Sequence, residues 1–313
     1  MTPTAQASWA VGSALAFAGM SAAIKVGYAH FGLFELVFWR NALGAAVLAA
    51  WALYAGRRLA TPLWPLHLRR SAAGTTSMVM WFAALAALPL PTAATLGNTS
   101  PLFVAVALAW AARRRGEPAD RRRRLLYAAA CCGFAGVVLA LRPTLDGGTL
   151  WGFAAGLGSG LFATFVYFEM RSLGAAGEPS WRVVFWFSMF ASAVGLVGIA
   201  ASGGFSVITA EGAGWLCAVA GFALVGQICM TRAFAGPATL LAATLQYTNI
   251  GFAAIIAAFA FDEALTLREA LGLAVIAGSG IAATVIAARA PAERRTSVPC
   301  DPDGRPAPAK ERP

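Results

Sequence analysis

Residues 94–105 read ATLGNTSPLFVA and residues 243–254 read ATLQYTNIGFAA. Each stretch sets neutral hydrogen-bonding side chains inside a long apolar run: Asn98, Thr99 and Ser100 in the first, Gln246, Tyr247, Thr248 and Asn249 in the second. Amides and hydroxyls of this kind grip a solute by donating and accepting hydrogen bonds, or join helices through bonds worth about 0.6–2 kcal/mol each. The stretches agree at Ala94/Ala243, Thr95/Thr244, Leu96/Leu245, Thr99/Thr248, Phe103/Phe252 and Ala105/Ala254, a constant spacing of 149. Asn98 then falls opposite Tyr247, and Ser100 opposite Asn249. Polar groups at membrane depth in a duplicated segment suggest a solute site between two halves of a carrier. Asn98, Thr99, Gln246, Tyr247 and Asn249 are the expected substrate contacts, because three amides in two related turns exceed what packing needs.

Further candidates are scattered. Trp81 sits mid-run, where an interfacial role fails, and either packs in the core or faces a substrate. Tyr167 and Gln227 are weaker cavity candidates. Pro101 lacks an N–H and leaves the carbonyl near Gly97 without its usual donor, giving a hinge or a static bend. Arg40 lies inside a run, with Glu35 and Lys25 near its outer end. These three are expected to form a gate, although Glu35 and Arg40 are five apart and poorly spaced for a same-helix bridge.

The elements that must position these residues are membrane helices. The 313 residues are 59% hydrophobic and 12% charged, about half the charge of a soluble domain. Lipid is therefore the expected solvent. Ten runs are long and apolar enough to cross it: 9–27, 34–54, 72–88, 92–112, 125–141, 150–168, 182–201, 212–231, 237–260 and 268–288. The segment before the first run has no Lys or Arg, so the first run reads as a span and not as a cleaved signal. The five cysteines show no metal spacing, and His30 and His67 read as solvated loop residues. The formal charge of +10 lies in loops and not on one face, which disfavours nucleic acid.

With the N-terminus in the cytoplasm, 20 of the 24 Lys and Arg fall in inner loops or the tail, and Lys25, Arg142 and Arg268 fall outside. Both termini are thus expected inside a cell (inner) membrane. Five spans per half is odd, so the halves 9–141 and 150–288 would run in opposite directions, followed by a disordered cytoplasmic tail over 289–313. Val37-Phe38-Trp39 and Val184-Phe185-Trp186 echo the duplication. The fold class expected is all-α integral membrane, ten helices as two inverted five-helix repeats.

At this point the chain resembles the EamA family of the drug/metabolite transporter superfamily. The carrying residues are Arg40 in ELVFWRNALG, Pro101 in NTSPLFVA, Glu117 in RRRGEP, and Glu263 to Gly272 in DEALTLREALG with Gly278 beyond. Leu126 stands where a glycine is expected after Glu117, and Ile250 stands opposite Pro101. The resemblance implies export or uptake of small metabolites, amino acids or drugs through a cavity lined mainly by spans 1, 3, 4, 6, 8 and 9, with spans 5 and 10 peripheral.

The small multidrug carriers that the fold resembles use a glutamate in span 1 to exchange protons for cationic drugs. Span 1 here has Lys25 and no acid. The expected function is an alternating-access secondary transporter of neutral or zwitterionic metabolites, working as an exporter. No cofactor is expected, and a homodimer is left open. The competing readings are a membrane-embedded enzyme or a channel; the chain has no HExxH, no paired intramembrane aspartates, no acidic ring and no GxxxxGK[ST]. The topology is testable: a cysteine at Gly148 is expected to react with an impermeant thiol reagent only from outside the cell. Labelling from the cytoplasm alone would remove the inverted arrangement.

Overall fold

The computed structural model describes residues 1–88, 90–116, 120–141, 143, 149–260 and 266–288. These are helical throughout, with no strand among the described residues. The helices are α1 (Pro3–Gly27), α2 (Leu33–Tyr54), α3 (Trp64–Ala87), α4 (Leu90–Gly97), α5 (Ser100–Arg114) and α6 (Arg121–Leu141). After them come α7 (Leu150–Ala175), α8 (Ser180–Ala201), α9 (Ala210–Ala235), α10 (Thr239–Leu245), α11 (Thr248–Ala260) and α12 (Leu267–Ala288). Glu117, Gly148, Asp262, Glu263 and the tail lie outside the described residues.

Taking α4 with α5 and α10 with α11, nine helical stretches among the described residues are long and apolar enough to cross a bilayer. The tenth expected span is α3. It has 24 residues, ample length, but it carries His67, Arg69, Arg70 and a run of hydroxyls. Its polarity is absorbed inside the protein: Arg69 pairs with Glu169, and Ser77 Oγ donates to the Ser159 carbonyl at 2.8 Å.

Helix packing comes in exchanged pairs. α3 lies along α7, and α1 along α9; α2 lies against α8, and α6 against α12. Exchanging the first five long segments for the last five turns this set into itself. Glycine permits the closest of these contacts. A Cβ on Gly272 would lie 2.6 Å from the Ala140 nitrogen and 2.8 Å from the Gly136 carbonyl oxygen. The small-residue face of α7 serves the same end: Gly152 receives Leu88, Gly156 receives Leu96, and Gly160 receives Thr99.

The main core is a cluster drawn from Ala10, Val104, Ala130, Met170, Phe234, Leu241, Ala283 and their neighbours. It gathers the starts of α1, α6 and α10 with the ends of α7, α9 and α12, so these helix ends share one face with the N-terminus. Every residue of α10 is buried. At the opposite face, Thr149 and Thr209 cap α7 and α9 by accepting from the Gly152 and Gly212 amides, both at 3.1 Å. Overpacking a backbone-to-backbone seam costs about 1–3 kcal/mol. Gly272→Leu is expected to part α6 from α12 and to lower the unfolding temperature of the detergent-solubilised protein, while the same substitution at Gly214, where a Cβ meets nothing within 4 Å, leaves it unchanged.

Candidate functional site

The two repeated stretches each break a helix. Between α4 and α5 the bonding tightens to Thr99 N–H donating to the Leu96 carbonyl (3.1 Å) and Leu102 N–H to Thr99 (2.9 Å). Between α10 and α11 the same contraction runs through Gln246 to Ala243, Tyr247 to Thr244, and Ile250 to Tyr247, at 3.1–3.2 Å. One side chain recurs. Thr99 Oγ1 donates to the Leu96 carbonyl at 2.6 Å, and Thr248 Oγ1 to the Leu245 carbonyl at 2.7 Å. A threonine that bonds back to its own helix bends it, and these are the matched Leu and Thr positions of the repeat. Pro101, in the first turn of α5 where no N–H is needed, adds to the first break. Ile250 leaves the second without a proline, so the threonine alone is the shared device.

Beside these breaks lies a cavity of about 330 Å³. Asn98, Gln246, Asn249 and Pro101 line it from the breaks, and Trp81, Tyr167, Gln227 and Arg40 from neighbouring helices. α6 and α12 contribute nothing to it among the described residues. α2 and α8 do, through Arg40 and Phe187, which widens the expected set of lining helices.

The amides differ in how occupied they are. Asn98 Nδ2 donates to the Ala94 carbonyl of its own helix at 2.8 Å, and Asn249 Nδ2 to Ala14 of α1 at 2.9 Å. Gln246 Nε2 is buried with no protein acceptor. Trp81 turns an indole edge to Gly97, where a Cβ would lie 2.7 Å from Nε1. Tyr167 stacks on Phe234 with ring centroids 3.9 Å apart and planes at 5°.

Four expected site residues lie elsewhere. Thr99 is turned onto Gly160 and serves the break. Tyr247 is fully buried with Val137, Ile250 and Ile276, its ring against Gly133 of α6; the contracted turn rotates it away from the neighbouring amides. Glu35 is engaged by the Gly32 amide (2.9 Å) and by the backbone and hydroxyl of Ser206, in the loop after α8, and not by Arg40. Lys25 is exposed near the end of α1, outside the cavity lining.

Two residues read as loop groups are the largest departure. Arg70, expected among inner-loop cations, is 1% exposed and lines the cavity. Its Nη2 donates to Gln227 Oε1 at 3.1 Å, and its guanidinium lies 3.8 Å from the centre of the Phe187 ring. His67, also expected in water, is 1% exposed one turn earlier in α3, with Nε2 3.0 Å from Glu178 Oε1. Gly177 at φ +77° lets the Glu178 amide return to the Leu173 carbonyl (2.9 Å), and the chain then presents the carboxylate to His67 and to Arg182 Nη1 at 3.2 Å. The signal for both residues was the helical continuity of 64–71 with the apolar run, masked by its charge.

Ser21, six residues before the end of α1, is exposed and lines the cavity. At the other end stand buried Arg70, the Tyr167–Phe234 stack, and Gln6, which bridges the Ala233 carbonyl (2.7 Å) and the Ala238 amide (3.2 Å). The cavity is closed toward the N-terminal face and opens toward the opposite one.

Residues 5–142 match the EamA-like transporter family. The first half of the chain is thus similar to that family. It is 29% identical over 245 residues to the pseudopaline exporter CntI of Pseudomonas aeruginosa, covering 78% of this chain and 83% of that one. An uncharacterized transporter of Helicobacter pylori is 24% identical over 284 residues, covering 85% and 90%. A protein of solved crystal structure superposes with a TM-score of 0.74 at 20% identity, over 92% of this chain and 99% of the other, and so shares the fold.

The amides make separable predictions. Gln246→Leu removes only an unpartnered donor from the protein, so transport is expected to fall on the order of tenfold with the unfolding temperature kept. Asn249→Leu also removes the bond that ties α11 to the Ala14 carbonyl of α1, an interhelical bond worth about 0.6–2 kcal/mol, and is expected to lower both. Flux assays beside thermal unfolding read the difference; equal transport by Gln246→Leu and wild type would leave this amide as packing.

Proposed function

We propose that the chain is a secondary carrier that exports small polar metabolites, amino-acid-like solutes among them, by alternating access around the central cavity. The observation that carries this reading is the cavity itself: it is built at two matched helix breaks, sealed toward one face and open toward the other. Its lining offers amides, rings and guanidinium groups and none of the nucleophile–base pairs that covalent chemistry requires. The name of the Pseudomonas aeruginosa relative favours export.

In this reading the N-terminal face is cytoplasmic, the two five-helix halves are inverted repeats, and the conformation described faces outward. The exchanged packing pairs and the equal Thr99 and Thr248 bonds support the inversion. The closed face is held by Arg69 with Glu169 and by His67, Glu178 and Arg182. On the open face His30 and Glu211 stand in the exchanged positions, 3.8 Å apart and with Glu211 largely exposed. Opening inward would part the first set and tighten the second. The domain limits 9–141 and 150–288, the inner-membrane location and a homodimer belong to the same proposal.

Reconstitution in liposomes with counterflow of amino acids and small organic acids tests the carrier; no exchange of any solute would sink it. Coupling is tested on the same vesicles. No carboxylate lines the cavity among the described residues, and Glu35 and Glu169 are held by Ser206 and Arg69. Flux is therefore expected to change little with an imposed pH gradient. Strong acceleration, lost in Glu35→Gln or Glu169→Gln, would replace the facilitator reading and name the coupling group.

A further inference from the structure

The fully buried side-chain atoms of the cavity lining that lack a partner are all of one kind. Arg70 keeps Nε and Nη1 buried without an acceptor, Arg40 keeps Nε so, and Gln246 keeps Nε2 so. Every one is an N–H donor. No Asp or Glu lines the cavity among the described residues, and Glu35, Glu169 and Glu178 on the surrounding helices are engaged by Ser206, by Arg69 through Oε1, and by His67 with Arg182. Arg70 is buried whole and Arg40 at its Nε; cations so placed need a compensating charge, and no described residue of the lining supplies one.

The position of Arg70 is built for its cation. Gly74, one turn further along α3, leaves the room: a Cβ there would lie 3.2 Å from Arg70 Nη1 and 3.1 Å from the Phe187 ring. Phe187 covers one side of the guanidinium, and Gln227 Oε1 fixes Nη2. The remaining N–H groups form the planar fork that matches a carboxylate.

Depth separates the two cations. Arg40 is seven residues from the start of α2 at the open face, roughly 10 Å along the axis, and Arg70 six residues from the start of α3 at the closed face, roughly 9 Å. Between them the cavity presents Phe17, Met20, Met78 and Trp81. We infer that the carrier selects elongated organic dianions, with one carboxylate on Arg70, a second on Arg40, and an apolar body against Trp81. This rests on the carrier reading above and narrows it: a neutral or simple zwitterionic solute leaves one guanidinium uncompensated.

The test is binding, measured apart from transport. Thermal unfolding of the purified full chain in detergent is followed with para-phenylenediacetate, its neutral diamide, the monoacid phenylacetate and phenyl phosphate. The diacid is expected to raise the unfolding temperature in a saturable manner, the monoacid to bind at least tenfold more weakly, and the diamide not to bind. Arg40→Gln and Arg70→Gln should each weaken the diacid at least tenfold. Gln227→Glu is the variant that guards against misfolding, since it keeps the side-chain shape and hands Arg70 an internal carboxylate; it should weaken the diacid as much while leaving the ligand-free protein at least as stable.

Equal stabilisation by the diamide, no stabilisation by the diacid, or wild-type affinity in Gln227→Glu would each overturn the inference. Tighter binding of phenyl phosphate than of the diacid would replace carboxylates by phosphate esters. Counterflow of a neutral amino acid by a protein that ignores the diacid would remove this inference and leave the carrier standing.

Discussion

Hydrocarbon offers no hydrogen bonds, so every backbone and side-chain polar group at membrane depth must find its partner within the protein. This requirement governs where the helices of this chain can break. At Leu96–Thr99 and Leu245–Thr248 the helix contracts, and in both places a threonine hydroxyl returns to a leucine carbonyl three residues back. The break is thereby satisfied locally, and the residues beside it (Asn98 in one copy, Gln246 and Asn249 in the other) turn toward a shared space. The cavity exists because two helices interrupt their regular bonding where the protein, and not lipid, surrounds them.

The same requirement explains why α3 is so polar. Arg69, Arg70, His67 and Ser77 would be costly against lipid, yet each meets a partner on α7, α8, α9 or the turn at Gly177. α3 is held between α7 and α8, and its charged first turns form the seal of the cavity. Polarity that lowers its hydropathy as a span is what lets it join the two halves at the closed face and carry a cation to the cavity.

Closed and open faces differ in the kind of contact that holds them. The N-terminal face combines a dry alanine- and leucine-rich core with short buried ion pairs. The opposite face has a capped loop at Ser206 and a long, exposed His30–Glu211 approach. A carrier that exchanges these arrangements would part buried Glu178 from His67 and Arg182 together, which favours two discrete arrangements over graded opening.

Much of this was legible in the residues. The apolar runs, spaced by arginine-rich gaps, placed the helices, because entry into lipid depends on length and hydropathy, but α1, α3 and α7 run six to eight residues past them. The 149-residue spacing picked out both stretches where helices break, although only Pro101 signalled a bend, and the family resemblance pointed to an all-helical membrane fold. Side-chain direction was not legible. Tyr247 and Gln246 are adjacent, yet one packs on Gly133 and the other faces the cavity, because a contracted turn shifts the angular position of the next residues. Arg70 read as a loop cation since charge near a span's end signals topology in a sequence. Only packing across 157 residues to Gln227, and against Phe187 beside Gly74, revealed it as a buried cation in the cavity wall. Sequence sets which segments enter the membrane, because each segment's partition is its own property; which groups then meet depends on neighbours from the other half of the chain, and that is decided by the fold alone.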